Sequence, residues 1–328
     1  MSNVTDAVEI WYVTDQTLCN FDCSYCVTQK TRRRAQQRMW ESDESAARFR
    51  AILGWLASLP WQLRVRLQTL GEPFVSREFL DGAAWLSRRQ NLEFVELVTN
   101  GSFRQAQFDQ FSRDADIARL SLWMTYHQTE IELERLVTNA VFAKERGASV
   151  VVHGLLFPEN LADIERMIAM CAERGIPTDV TVGHNYNDVY KGRGYLPVLS
   201  QNSEALAFYR EGNAAEAMLA AHNGPLGLPC SAGHNYLFVN RRGDVFPCQP
   251  YSHIPTEPLG SALEPGFVPR LRQGAYSPCE HKGACVCKED YLHLRQVREV
   301  LSMSRSLGYY IEKHASPGAA QRATEGSK

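Results

Sequence analysis

Cys19-Asn20-Phe21-Asp22-Cys23-Ser24-Tyr25-Cys26 follows closely on the apolar run Val8 to Val13 and spaces three cysteines three and then two residues apart. Three thiolates on one short loop can hold one face of a small metal centre. A structural zinc site wants four protein ligands in a closed tetrahedron. The next cysteine is Cys171, so zinc would have to borrow its fourth ligand from far along the chain. An iron–sulfur cluster with one iron left open suits three thiolates better. Two further strand-like runs end in short polar turns: Val65 to Leu70 runs into Gly71-Glu72-Pro73, and Phe94 to Val98 into Thr99-Asn100-Gly101.

Around these stretches the first two hundred residues alternate strand-like and helix-like segments, the pattern of parallel βα units. Strands are expected near 8–15, 63–69, 94–99, 117–126, 149–156 and 178–183. Helical patterns include Ser42 to Leu59, capped by Ser42 or Asp43 and stopped by Pro60, then Glu130 to Arg146 ended by Gly147, and Leu161 to Arg174 ended by Gly175. Six units are too few for a closed eight-stranded barrel. In parallel βα architectures chemistry sits at the carboxyl ends of the strands, and all three turns fall there.

On these motifs the chain resembles the radical S-adenosylmethionine (SAM) superfamily. Its signature is CxxxCxxC with an aromatic residue, here Tyr25, before the third cysteine. Gly71-Glu72-Pro73 matches the second half of the family's Gly-Gly-Glu-Pro motif, with Leu70 replacing the first glycine, and Thr99-Asn100-Gly101 matches a turn found in many members. The resemblance implies an α/β fold, a partial (β/α)6 TIM-like barrel over residues 1–200. It implies that Cys19, Cys23 and Cys26 ligate a 4Fe-4S cluster whose open iron is chelated by SAM. One electron then cleaves the sulfonium, and the deoxyadenosyl radical abstracts hydrogen from substrate. Gly71, Glu72 and Pro73 are expected to receive the SAM amine. Asn100, Ser121 and Thr125 are placed for its ribose and carboxylate by strand position, with Tyr25 beside the cofactor.

Beyond Gly183 the regular alternation ends. A loop rich in Gly, Tyr and Asn spans 184–195, and a helix-like segment runs from Ser203 to His222. A second cysteine group follows, with Cys230 and Cys248 joined as Cys-x12-Gly243-x4-Cys. Between them Tyr236 to Val239 and Asp244 to Phe246 flank Asn240-Arg241-Arg242-Gly243, a β-hairpin with a glycine turn. Cys279-x5-Cys285-x-Cys287 completes the group. This region resembles the SPASM and twitch extensions of radical SAM barrels. A full SPASM extension carries more cysteines and a second auxiliary cluster, and Tyr276 stands where its preceding cysteine would be. One auxiliary 4Fe-4S cluster over 201–314 is therefore implied, with Cys230, Cys248, Cys279 and Cys285 as ligands and Cys287 as the spare, Cys285 and Cys287 being interchangeable. A spare thiol could donate a hydrogen atom to a substrate radical. A structural zinc site is the other reading of these cysteines. A helix from Asp290 to Lys313 and a disordered tail, 315–328, close the chain.

The formal charge is −2 over 328 residues, which argues against a nucleic-acid partner bound by phosphate neutralisation. No run approaches the about 18 apolar residues of a membrane span, and the start Met1 to Asp6 is no signal peptide. A cytoplasmic protein is expected, and nine cysteines in a reducing compartment point to metal or redox chemistry. The basic run Lys30 to Arg38 reads as a solvated face, or as a dock for an acidic reductant such as a flavodoxin or ferredoxin. His127, His153 and His184 fall near strand ends, where His127 and His184 are candidates to exchange protons with substrate. Cys171 reads as a small buried hydrophobe. The short stretch before the cysteine loop leaves no room for a peptide-recognition domain, so a small hydroxylated metabolite such as a sugar, aminocyclitol or nucleoside is expected, to be dehydrogenated or epimerised. Modification of a ribosomal peptide and a non-catalytic zinc scaffold are the alternatives.

Overall fold

A computed structural model describes residues 7–29, 32, 38–183, 201–211, 224–249, 256–282, 285 and 293–297. His184, Cys287, Lys30, Arg33, Arg34, the loop 184–195, most of the helix expected from Asp290 to Lys313 and the tail lie outside these residues.

Six strands form in chain order: β1 (Ala7–Val13), β2 (Gln62–Gln68), β3 (Leu92–Thr99), β4 (Leu120–Tyr126), β5 (Ser149–Leu156) and β6 (Thr178–Val182). Each pairs in parallel with the next, from Ala7 opposite Gln62 to Leu156 opposite Val182. The connections carry α1 (Ser45–Ser58), α2 (Arg77–Ser87), α3 (Gln105–Asp114), α4 (Leu133–Glu145) and α5 (Leu161–Glu173). α6 (Ser203–Glu211) follows β6. This is an open, partial (β/α)6 barrel, as expected. Among the described residues no helix is long and apolar enough to cross a membrane.

The strands' two-residue period divides the sheet into faces. Val8, Ile10 and Tyr12 of β1 join Val65 and Leu67 of β2 in the core beneath the helices. α1 meets them with Phe49, Ile52, Leu53 and Leu56, one apolar stripe at helical spacing. Phe49 also stacks on Phe79 of α2 with ring centroids 5.3 Å apart. The intervening residues carry polar and charged groups to the inner face. Among these, Glu9, Arg66, Glu96, His153 and Asp179 are all buried.

Helix ends follow from local chemistry. Leu59 after α1 is extended, with ψ 143°, as the residue before a proline prefers. Gly147 and Gly175 end α4 and α5 with φ of 96° and 60°, a left-handed stop that glycine adopts without strain. The expected cap of α1 is corrected: Glu44 occupies that position and makes no side-chain capping bond. Ser42 is drawn instead to the Ser45 hydroxyl, 3.0 Å away, which itself donates to the buried Asp15 carboxylate at 2.6 Å.

The hairpin read from the sequence is β8 (Tyr236–Val239) and β9 (Asp244–Phe246), entered after β7 (Pro229–Cys230) and followed by β10 (Gly260–Ser261) and β11 (Ser277–Pro278). β8 adds in parallel to the free edge of β1, with Glu9 opposite Tyr236 and Tyr12 opposite Val239. β9 and β10 continue the sheet antiparallel. One nine-stranded sheet, ordered β10-β9-β8-β1-β2-β3-β4-β5-β6, thus runs through both cysteine regions.

Candidate functional site

The cysteine loop leaves the carboxyl end of β1 and is docked by the turn after β2. Backbone N–H groups of Leu70 and Gly71 donate to the Gln16 carbonyl, both at 3.0 Å, and the Glu72 N–H donates to the Leu18 carbonyl at 2.9 Å. Gly71 is forced by this approach, since a Cβ there would lie 1.9 Å from the Leu18 oxygen. From the loop, the Thr28 hydroxyl donates to the Leu70 carbonyl at 2.7 Å.

Glu72 ties this turn to the one after β3. Its carboxylate is 2% exposed and accepts from the Thr99 hydroxyl at 2.6 Å, the Asn100 N–H at 2.7 Å and the Phe74 N–H at 3.1 Å. Burial pushes its pKa up to about 7, against the downward pull of those three hydrogen bonds. Both of its oxygens thus accept hydrogen bonds within the protein. Asn100 closes the ring: its side-chain amide donates to Asn20 of the cysteine loop at 3.0 Å, and Asn20 donates to Ser102 at 2.8 Å. The three motifs form one hydrogen-bonded rim.

Cys23 is buried, while Cys19 and Cys26 are half-buried. Burial pushes the Cys23 thiol up to about 12, and the nearby Glu130, Cys26 and Cys19 add to that rise. Among the described residues no three His, Cys, Asp or Glu side chains converge as ligands of a single ion. Zinc thiolates at about 2.3 Å from one ion would stand nearly in contact with each other, whereas the thiolates of a multi-iron cluster bind separate irons. The donors around the sulfurs suit an anionic centre: the Phe21 N–H points at Cys19 Sγ at 3.5 Å and the Arg32 guanidinium at Cys26 Sγ at 3.6 Å. Thiol ligands, charge-compensating donors and a rigid backing fit an iron–sulfur cluster.

Tyr25 is braced by the next strand ends. Its hydroxyl meets His127 Nδ1 at 3.0 Å, and its ring lies 5.8 Å from that of His127 and 5.0 Å from Phe157. Burial pulls the His127 pKa down to about 4, so its imidazole is neutral at pH 7. Thr125 lies at the end of β4 and contacts His153 Nδ1 at 3.4 Å, and His153 Nε2 meets Thr181 Oγ1 at 2.8 Å and Asp179 Oδ2 at 3.7 Å. Ser121 departs from the expectation. β4 begins at Leu120, so Ser121 sits at the strand's amino end, buried and hydrogen-bonded to Glu96 at 3.3 Å, away from the rim. Arg32 departs too: it is folded back on the cysteine loop instead of facing solvent. Its place in a run of five basic residues hides this, and no local sequence signal separates it from its neighbours.

The second cysteine group gathers at the inner face. β7 and β11 pair with Cys230 opposite Ser277, and Cys279 exchanges backbone hydrogen bonds with the 227–228 segment, 2.7 and 2.8 Å. Cys230, Cys248, Cys279 and Cys285 then line one hollow of about 460 Å³, its open mouth included, together with His281 and Arg272. Cys230 and Cys285 pack against Phe94, Trp123 and Val151 from the inner faces of β3, β4 and β5. Cys171 is buried in α5, as expected, and touches neither group's hollow.

Sequence comparison finds no matching protein-family model and no matching curated protein. Three solved structures are similar in fold. Polyhistidine-tagged anSMEcpe with bound AdoMet (S-adenosylmethionine) shares 13% identity over 90% of this chain and 82% of that one, with a TM-score of 0.50. Streptococcus suis SuiB bound to precursor peptide SuiA shares 13% over 79% and 63%, with a TM-score of 0.49. BtrN in complex with AdoMet and 2-DOIA shares 14% over 92% and 88%, with a TM-score of 0.42. The chain spans less than two thirds of SuiB. The likeness to anSMEcpe, at a TM-score of 0.50, shows a shared fold.

Proposed function

We propose that the chain is a radical SAM enzyme with two 4Fe-4S clusters, one on Cys19, Cys23 and Cys26 and one auxiliary cluster on Cys230, Cys248, Cys279 and Cys285. On this reading the segment 201–314 is a twitch-type extension, and its substrate is a small polar metabolite that is dehydrogenated or epimerised. The observation that carries the reading is the closed rim. The cysteine loop, Gly71-Glu72-Pro73 and Thr99-Asn100-Gly101 come from three strands and are locked together by Gly71's close approach and Glu72's three hydrogen bonds.

When bound, the clusters and SAM supply reductive cleavage of the sulfonium, a hydrogen-abstracting deoxyadenosyl radical and an acceptor for the electron left on substrate. The chain's own part is position and exclusion of water. Gly71 lets the loop seat against β2, and Glu72 fixes the β3 turn beside it. Tyr25, held by the neutral His127 and by Phe157, walls the loop on the β4 and β5 side. Below them Thr125, His153, Thr181 and Asp179 present hydroxyl, imidazole and carboxylate groups on the inner face. Such a polar lining suits a hydroxylated small molecule better than an apolar one. A flavodoxin or ferredoxin-type reductant is the proposed partner.

Anaerobic purification tests the reading. Brown protein with iron and sulfide each near about eight per chain, releasing deoxyadenosine from SAM under dithionite, is expected. Colourless, zinc-loaded protein with no deoxyadenosine would favour a structural scaffold instead. Incubation with sugars, aminocyclitols and nucleosides, and separately with peptides, tests the substrate class. Oxidised or inverted product from a peptide alone would replace the metabolite assignment.

A further inference from the structure

We propose that Arg32 is the counter-charge of the cysteine loop, holding the Cys26 thiolate and easing the entry of an electron into a cluster bound there. This rests on the iron–sulfur reading of the loop and assigns one more residue to it. Arg32 Nη2 donates to the Phe21 carbonyl at 2.7 Å, and Nη1 donates to Cys26 Sγ at 3.6 Å. One side chain therefore spans the loop from the segment between its first two cysteines to the third. Its Nε is buried with no hydrogen-bond partner among the described residues.

The contacts of Cys26 single out Arg32. Thr28 Oγ1 also lies 3.2 Å from Cys26 Sγ, but its hydroxyl proton is committed to the Leu70 carbonyl at 2.7 Å. A hydroxyl has one proton, so Thr28 has none to give the sulfur while it bonds Leu70. The guanidinium keeps both of its bonds and adds a full positive charge.

A cluster bound there would take one electron from a low-potential donor onto its irons, with no bond broken and no proton moved. The added negative charge is stabilised by a nearby cation, and hydrogen bonds to cluster sulfurs raise the potential. Guanidinium, always protonated and presenting a rigid fork, suits this work better than an ammonium, which keeps the charge but not the two-point grip.

The test uses the full chain, reconstituted anaerobically, as wild type, Arg32→Gln and Arg32→Lys. Iron and sulfide are counted. The reduced fraction is followed against solution potential by the EPR signal that SAM perturbs, which selects the cluster with an open iron. Arg32→Gln is expected to fall about tenfold in reduced-to-oxidised ratio at a given potential, equivalent to about 59 mV for one electron. Arg32→Lys should fall between it and the wild type. A fully loaded Arg32→Gln that titrates with the wild type would overturn the proposal. So would loss of loop iron from both variants while the wild type stays loaded, since Arg32 would then only fold the loop. Wild type without iron would remove the cluster reading and this inference together, whereas loaded wild type with an unshifted Arg32→Gln removes this inference alone.

Discussion

Replacing Glu72 by Gln tests how the rim is held. In the native chain its carboxyl, 2% exposed, is pushed by burial from an ordinary 4.5 to about 7. An acid whose folded pKa lies above its unfolded one contributes stability that is fully present below the unfolded value and is lost as pH rises through the folded one. The rise from 4.5 to about 7, at about 1.36 kcal/mol per pH unit, gives a loss of about 3 kcal/mol between about pH 4 and pH 8. Gln is nearly isosteric with the protonated acid and does not titrate. Its carbonyl can keep Thr99 and Phe74, which share one carboxyl oxygen, but its NH2 has no lone pair for the Asn100 N–H, which the hydroxyl oxygen of the protonated acid can still accept. The variant should therefore trail the wild type by about 1–3 kcal/mol at pH 5, for the lost Asn100 bond, and gain about 2–3 kcal/mol on it by pH 8. Urea unfolding of both cluster-free proteins at the two pH values measures this, and comparing them cancels the titration of every other group. Glu72→Ala is the companion: three buried donors lose their acceptor, which costs roughly 3–6 kcal/mol at pH 5 and about 2–3 kcal/mol less at pH 8, where the wild type has lost that stability. The reasoning is refuted if the Gln variant trails the wild type more at pH 8 than at pH 5. The three hydrogen bonds would then outweigh burial and hold the carboxylate ionised.

Three further outcomes are expected. Gly71→Ala, whose methyl would meet the Leu18 carbonyl at 1.9 Å, should cost about 3 kcal/mol or more and release loop iron while sparing auxiliary iron, as metal analysis will show. Cys23→Ala should abolish deoxyadenosine formation under dithionite yet leave the auxiliary cluster assembled; undiminished deoxyadenosine would end the radical SAM reading. Cys285→Ala, which removes a thiol lining the second hollow, should lower auxiliary iron, while Cys287→Ala should keep iron and SAM cleavage but block or divert product. In deuterium oxide an epimerised product should then carry deuterium at the inverted carbon, and iron loss from both variants with a deuterium-free oxidised product would leave dehydrogenation.

The parts of this molecule that are legible in its sequence are those set by local rules. Strand and helix periods, the glycine stops at Gly147 and Gly175, the turn before Gly243 and the three rim motifs all depend on residues within a few positions of one another. What stays hidden depends on partners distant in sequence. Ser121 escapes a local reading because the start of β4 is fixed by pairing with β3, where Glu96 meets it, and not by its own neighbours. Arg32 is hidden in a charge run because its acceptors, Phe21 O and Cys26 Sγ, define it only after the loop has folded. Glu72 is legible as a motif residue, but its task comes from Thr99 and Asn100, 27 and 28 positions away.

Strand β1 explains why the two cysteine groups belong to one device. One of its edges pairs with β2, whose end supplies the Gly71 dock, and the other pairs with β8, the first strand of the hairpin between Cys230 and Cys248. The same strand then runs on into the cysteine loop. Inside the sheet, His293 beside the second hollow closes on Glu9 of β1 at 3.3 Å, and its ring stacks on Tyr236 of β8 at 3.8 Å. Glu9 in turn reaches Arg64 of β2 at 3.6 Å. Buried polar groups are costly to leave without their partners, so these contacts resist sliding of β8 along β1. A slip by one residue would turn Tyr236 and Phe238 away from the inner face and Leu237 towards it. The register of β1 thus fixes the second cysteine group relative to the rim, which the proposed pairing of two clusters would require.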